Sequence, residues 1–106
     1  MEGRIVIVAY KPLKGKEDAL RQLMREHLPA LKKQNLVTDR DSILMETKDG
    51  TIIEVFEWKS KAAIEQAHTN PEVQKMWKKY SEVCEYLPIG KVEEAGNLFA
   101  DFTPFE

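Results

Sequence analysis

The sequence predicts an α+β fold: a ferredoxin-like βαββαβ sandwich with a four-stranded antiparallel sheet and both helices on one face. Three observations carry this. Residues 4–11 form an apolar, β-branched run without helical spacing, two later stretches repeat apolar residues at helical spacing, and an Asp-Gly pair divides two strand-like segments. At 106 residues the chain makes one domain spanning 1–106, with room for a core but not for a second one.

The first strand is RIVIVAYK, Arg4 to Lys11. Ile5, Ile7 and Ala9 point to one side and Val6, Val8 and Tyr10 to the other, a pattern expected of a strand buried on both faces. Pro12 to Gly15 is a turn, and Lys16-Glu17-Asp18 opens a helix with acids where the helix dipole favours them. Leu20, Leu23, Met24, His27, Leu28 and Leu31 form its apolar stripe. Pro29 displaces the hydrogen bond to residue 25, so a kink or break is expected there, and Asn35 is the expected stop.

Ser42 to Lys48 and Thr51 to Trp58 flank Asp49-Gly50. Read as a two-residue hairpin loop, Asp-Gly pairs Lys48 with Thr51, Thr47 with Ile52, Met45 with Glu54 and Ile43 with Phe56. One hairpin face then carries Ile43, Met45, Thr47, Ile52, Glu54, Phe56 and Trp58. Ser60 caps a short helix in which Ala63, Ile64, Ala67 and His68 share a side. Asn70-Pro71 starts another, with Asn as cap and Pro at the first helical position. Its stripe is Val73, Met76, Trp77, Tyr80, Val83, Cys84 and Leu87, ended by Leu87-Pro88-Ile89-Gly90. Lys91 to Asn97 is a polar loop, and alternation from Leu98 to Phe105 gives the last strand, ending near Pro104.

Two helices cover one face of such a sheet, yet the strands are apolar on both. A second copy packing on the bare face is the expected cover, which predicts a homodimer joined through the sheet face. The formal net charge is −2, with basic residues scattered among acids, so no nucleic-acid footprint is present. No apolar run reaches the roughly 20 residues of a membrane span, and the first residues lack the features of a signal peptide. Cys84 is the only cysteine, which excludes an internal disulfide and fits a cytoplasmic location. It reads as a small hydrophobe, not a nucleophile.

A first strand leading into Lys-Pro-x-x-Gly-Lys-Glu, an EVFEW strand running into Ser-Lys-x-Ala, and a following Ala-His-x-x-Pro resemble the dimeric α+β barrel superfamily. The nearest likeness is to antibiotic-biosynthesis-monooxygenase-type domains, over nearly the whole chain. The resemblance implies a homodimer with one pocket per subunit between helices and sheet. In some members that pocket oxidises polycyclic aromatic compounds with dioxygen and no metal or prosthetic group. A haem-degrading branch has an Asn in the first strand, a Trp in the second helical region and a later haem-ligating His. Here strand one has no Asn, Ala67 stands near the Trp position, and Trp77-Lys78 stand near the ligand position, so the resemblance does not extend to haem. With two histidines and no accompanying ligands at metal-binding spacing, no metal site is expected.

The candidate catalytic residues are His68 and Glu54. A neutral imidazole on the sheet-facing side of the short helix can take a proton from an acidic phenol or enol; the alternative for His68 is a ring that closes the corner at Thr69-Asn70-Pro71. Glu54 shares an apolar face with Ile52, Phe56 and Trp58, where desolvation turns a carboxylate into a base; the alternative is pairing with a cation or a wet sheet end. Phe56, Trp58, Trp77 and Tyr80, with Met24 and His27 from the first helix, are the candidate ligand-binding wall for a flat hydrophobic molecule. Enzymatic mono-oxygenation and a non-enzymatic ligand-binding or structural dimer are the two functional expectations.

Overall fold

The computed structural model describes residues 2–105. Its elements, in chain order, are β1 (Arg4–Pro12), α1 (Glu17–Lys33), β2 (Ile43–Glu46), β3 (Ile52–Trp58), α2 (Lys61–Ala67), α3 (Pro71–Val83), β4 (Cys84–Leu87) and β5 (Thr103–Pro104), with two 3-10 turns at Ile89–Lys91 and Glu93–Gly96. The sheet is antiparallel and runs β4-β1-β3-β2-β5. Without β5 this is the ferredoxin-like order, so the α+β expectation holds with five strands in place of four.

Helix ends form where the residues satisfy them. Asn35 takes the left-handed conformation (φ 60°), and the Leu36 N–H donates to Leu31 O while the Asn35 N–H donates to Lys32 O, the paired bonds of a Schellman stop. α1 is unbroken at Pro29. Pro29 lies on the exposed side, where the carbonyl it strands can be hydrated. The Ser60 hydroxyl accepts from the Ala63 N–H, and the Asn70 side chain accepts from the N–H groups of Glu72 and Val73.

Two expectations need correction. The helix read through to Leu87 stops at Val83, and Cys84–Leu87 forms β4 along the edge of β1, pairing Ala9 with Leu87 and Tyr10 with Tyr86. Val83, Cys84 and Leu87 suit helical spacing, but the free edge of β1 offers ladder partners that local periodicity does not register. The segment read as the last core strand, Leu98–Phe105, keeps only Thr103–Pro104 as strand, on the opposite edge against β2. Pro104 cannot donate to a ladder, and Leu98 and Phe99 project into solvent.

The hairpin register also differs by one. The loop has three residues, closed by Thr47 N–H to Thr51 O (2.9 Å) and Gly50 N–H to Thr47 O (3.2 Å), with Gly50 at φ +89°. This is a type I turn followed by a left-handed glycine, which pairs Glu46 with Ile52, Met45 with Ile53, Leu44 with Glu54 and Ile43 with Val55. The slip exchanges the faces of β2 only. The parity of β3 keeps Ile52, Glu54, Phe56 and Trp58 together, and they face the helices.

The core lies on that side. Leu28, Leu31, Phe56, Trp58, Ala67 and Val73 pack as one cluster, continued by Tyr10, Leu20, Met24, Ile52 and Tyr80. A smaller cluster on the far face joins Ala9 and Ile53 to Val92, which the two 3-10 turns carry under the sheet. The rest of the far face is bare in the single chain: Ile5, Ile7 and Ile43 are 57, 50 and 59 % exposed. No helix among the described residues is long and apolar enough to cross a membrane.

Candidate active site

A cleft of about 350 Å³ opens between sheet and helices. Its walls are Val6, Val8 and Tyr10 from β1, Phe56 and Trp58 from β3, His27 from α1, Trp77 from α3 and Tyr86 from β4. Strand alternation explains the β1 set, since residues two apart share a face. His27 arrives on the apolar stripe of α1, one turn after Met24.

Beneath this wall lies a buried polar triad. Glu54 is 0 % exposed, and its Oε1 accepts a hydrogen bond from the Tyr10 hydroxyl at 2.7 Å. Nδ1 of His27 is 2.9 Å from Oε1 and 3.0 Å from Oε2 of the same carboxylate. A carboxylate offers only acceptors, so Nδ1 carries the proton of this contact, and in the neutral ring the lone pair lies on Nε2. No buried side-chain nitrogen or oxygen among the described residues lacks a partner, and only Nδ1 of the His27 ring is engaged by the protein. Nε2 is therefore reached from the cleft that His27 lines.

Aromatic rings fix the imidazole edge-on: Phe56 at 5.5 Å, Tyr80 at 5.4 Å and Tyr10 at 6.3 Å between centroids. Burial, followed by the charge and hydrogen bond of Glu54, pushes the Tyr10 phenol well above its ordinary pKa, so it remains an O–H donor. Burial likewise raises Tyr80, whose hydroxyl donates to Leu23 O at 2.9 Å. At the rim, burial pushes Tyr86 up to about 12. The arrangement is an imidazole hydrogen-bonded to a buried carboxylate at the wall of an aromatic cleft.

The sequence-derived candidates fall into three places. Phe56, Trp58, Trp77 and His27 line the cleft, while Tyr80 and Met24 lie behind it, joined by a 3.6 Å contact from the Tyr80 hydroxyl to Met24 Sδ. Glu54 does not face the cleft, because Tyr10 and His27 stand over it. His68 lies outside: it is exposed, Nδ1 donates to Ile64 O at 2.8 Å, and the ring meets the edge of Trp77 at 5.3 Å. Tyr10 and Tyr86 escaped the sequence reading. Tyr10 shares the parity of Val6 and Val8, but its link to Glu54 needs the β1–β3 register, Val8 opposite Glu54, and Tyr86 was read as part of a helix. No cluster of three or more His, Cys, Asp or Glu that could hold a metal ion is found among the described residues.

The sequence matches no family model and no curated protein. Among solved structures, the fold is similar to SnoaB, a cofactor-independent oxygenase from Streptomyces nogalater, with a TM-score of 0.69 at 9 % identity over 82 % of this chain and 88 % of that one. Rv0793 from Mycobacterium tuberculosis aligns with a TM-score of 0.62 at 18 % identity, over 81 % of this chain and 93 % of that one. SO0527 from Shewanella oneidensis aligns at 0.63 and 14 % identity, over 81 and 85 % of the two chains. At these identities the likeness speaks for the fold. The chain shares the ferredoxin-like α+β fold of these three structures.

Proposed function

We propose that this protein is a cofactor-independent monooxygenase acting on a hydrophobic, phenolic or quinone-forming aromatic molecule in the cleft. The observation that supports this best is the His27–Glu54 pair, with Nε2 as the polar group turned towards an otherwise aromatic and aliphatic wall. The fold shared with an oxygenase of that chemistry supports it by analogy.

In this reading His27, and not His68, is the base. Nε2 takes the phenolic proton, and Glu54 holds the imidazole and stabilises the imidazolium that forms. Trp58, Phe56 and Trp77 hold the ring flat. The electron-rich phenolate carbon then bonds to dioxygen, and proton transfer gives a hydroperoxide on that carbon. His27 then takes the proton from that same carbon, the O–O bond breaks, and His27 returns the proton to the departing oxygen, so one oxygen atom remains as a quinone carbonyl and the other leaves as water.

The exposed Ile5, Ile7 and Ile43 support a homodimer joined through the far face of the sheet. The lone Cys84, buried and held as a thiol by a pKa pushed up to about 11, suits a reducing cytoplasm. A second reading, ligand binding without turnover, is favoured by the complete satisfaction of Glu54 within the protein.

Oxygen consumption with a panel of hydroxylated naphthalenes and anthracenes separates the two. His27→Ala is expected to lower kcat at least about 100-fold while His68→Ala leaves it within a few-fold. Tight binding without oxygen uptake supports the second reading. Equal loss in both variants removes His27 from the role of base.

A further inference from the structure

We propose that Tyr10 is a positioning residue for the base: its phenol clamps the Glu54 carboxylate and sets how strongly the pair holds a proton at His27. This rests on the reading of His27 as the base and deepens it, because it names the group that tunes that base.

The geometry is specific. The Tyr10 hydroxyl donates at 2.7 Å to Oε1, the same oxygen that lies 2.9 Å from His27 Nδ1. Tyr10 lies opposite Ile52 and Val8 opposite Glu54, so Tyr10 and Glu54 are diagonal neighbours on the helix-facing side of two rigid, adjacent strands. The Tyr10 ring is packed at 5.3 Å from Tyr80 and 5.5 Å from Tyr86, which leaves the hydroxyl little freedom to turn elsewhere. Packing alone would be met by Phe. The hydroxyl adds a donor to a carboxylate that burial has removed from water.

The sign of the effect follows. A hydrogen bond to a carboxylate favours its charged form and weakens its pull on any other proton. With Tyr10 in place, Glu54 shares its attraction between the phenol and Nδ1–H. Without it, the carboxylate pulls harder on Nδ1–H, and the imidazole takes a proton at Nε2 more readily. The titratable groups around this proton are Tyr10 from β1, Glu54 from β3 and Tyr80 from α3, with Tyr86 of β4 stacked against both tyrosines. Burial raises all three phenols, so each remains an O–H donor.

The test is an NMR titration of the His27 ring in the full chain, set beside the pH profile of oxygen consumption. Tyr10→Phe is expected to raise the His27 midpoint by about one pH unit, with the acid limb of kcat/KM moving by the same amount. In a Glu54→Gln background Tyr10→Phe should leave the His27 midpoint in place, and Tyr86→Phe, read by NMR alone, should leave it in place in either background. Should Tyr10→Phe fail to fold, 3-fluorotyrosine at position 10, a stronger donor of the same shape, is expected to lower the midpoint. An unmoved midpoint in a folded variant overturns the proposal. A shift that persists without Glu54, or that Tyr86→Phe reproduces, overturns it as well. The NMR midpoint reads the clamp without any turnover. A shift without oxygen uptake therefore sinks the oxygenase reading and leaves the clamp standing, while uptake without a shift does the reverse.

Discussion

On the helix-facing side of the sheet, a carboxylate, an imidazole and a phenol are sealed together among aromatic rings; on the opposite side, Ile5, Ile7 and Ile43 stand in solvent. Each side departs from the simple rule that apolar residues go in and polar ones out. The departures differ in kind. Buried polar groups are tolerable only when they satisfy one another, and here each does. An exposed apolar patch costs little in the isolated chain and becomes favourable once another surface covers it. One face therefore encloses a self-satisfied polar cluster beside a cleft, and the other leaves an apolar patch bare; the oxygenase and homodimer proposed above would use one each. Part of the far face is already covered, since Val92 seals Ala9 and Ile53. The bare part is confined to the end of the sheet where β1 begins.

The largest expected effect comes from breaking the polar side. Glu54→Ala leaves the Tyr10 hydroxyl and His27 Nδ1 unpaired in the core and opens a cavity, and should lower unfolding free energy by about 3 kcal/mol in urea. Glu54→Gln keeps the shape and one acceptor and should lose less. A loss below about 1 kcal/mol for Glu54→Ala would mean that the triad is not sealed as described.

On the other side, Ile7→Lys should leave the far-ultraviolet circular dichroism spectrum unchanged, while light scattering falls from a dimer mass to a monomer mass. The loss to association is expected to be about 1.5 kcal/mol or more per subunit, the worth of burying one such side chain. If the variant instead unfolds as readily as Glu54→Ala, then Ile7 belongs to the core of the single chain and the contrast between the faces fails.

Much of this contrast could be read before the structure. The β3 pattern placed Glu54 among Ile52, Phe56 and Trp58, and no error in the hairpin could change that, because strand parity is local. The double-sided apolarity of β1 announced a face needing cover. What could not be read is what depends on which strands meet. Tyr10 reaches Glu54 only through the β1–β3 ladder, and β4 exists only because β1 has a free edge. His68 drew attention through its place on α2, yet a carbonyl one turn back holds its ring on the outside. His27 read as part of an apolar stripe and a ligand wall, and not as a proton acceptor, because such a stripe gives no sign of the carboxylate opposite.

The hairpin loop, where the two faces are assigned, gives the smallest and most local test. Its three-residue turn decides that Leu44 and Glu46 face the helices while Ile43 and Met45 face away. Asp49 holds the turn: its carboxylate accepts from the Thr47 hydroxyl at 2.5 Å and from the Thr51 N–H at 3.0 Å, and these bonds hold its pKa below the usual carboxylate value. A depressed folded pKa means that the contribution is complete above about pH 4 and is lost as pH falls through the folded value. Asp49 is exposed, so solvent screening keeps the effect small, and Asp49→Ala should cost less than about 1 kcal/mol at pH 7. The gap between variant and wild type should narrow on acidification to about pH 2, as the wild type loses what the variant never had. A gap that stays constant across this range would show that Asp49 acts through turn propensity alone, and that the register rests on Gly50 and the strand pairing.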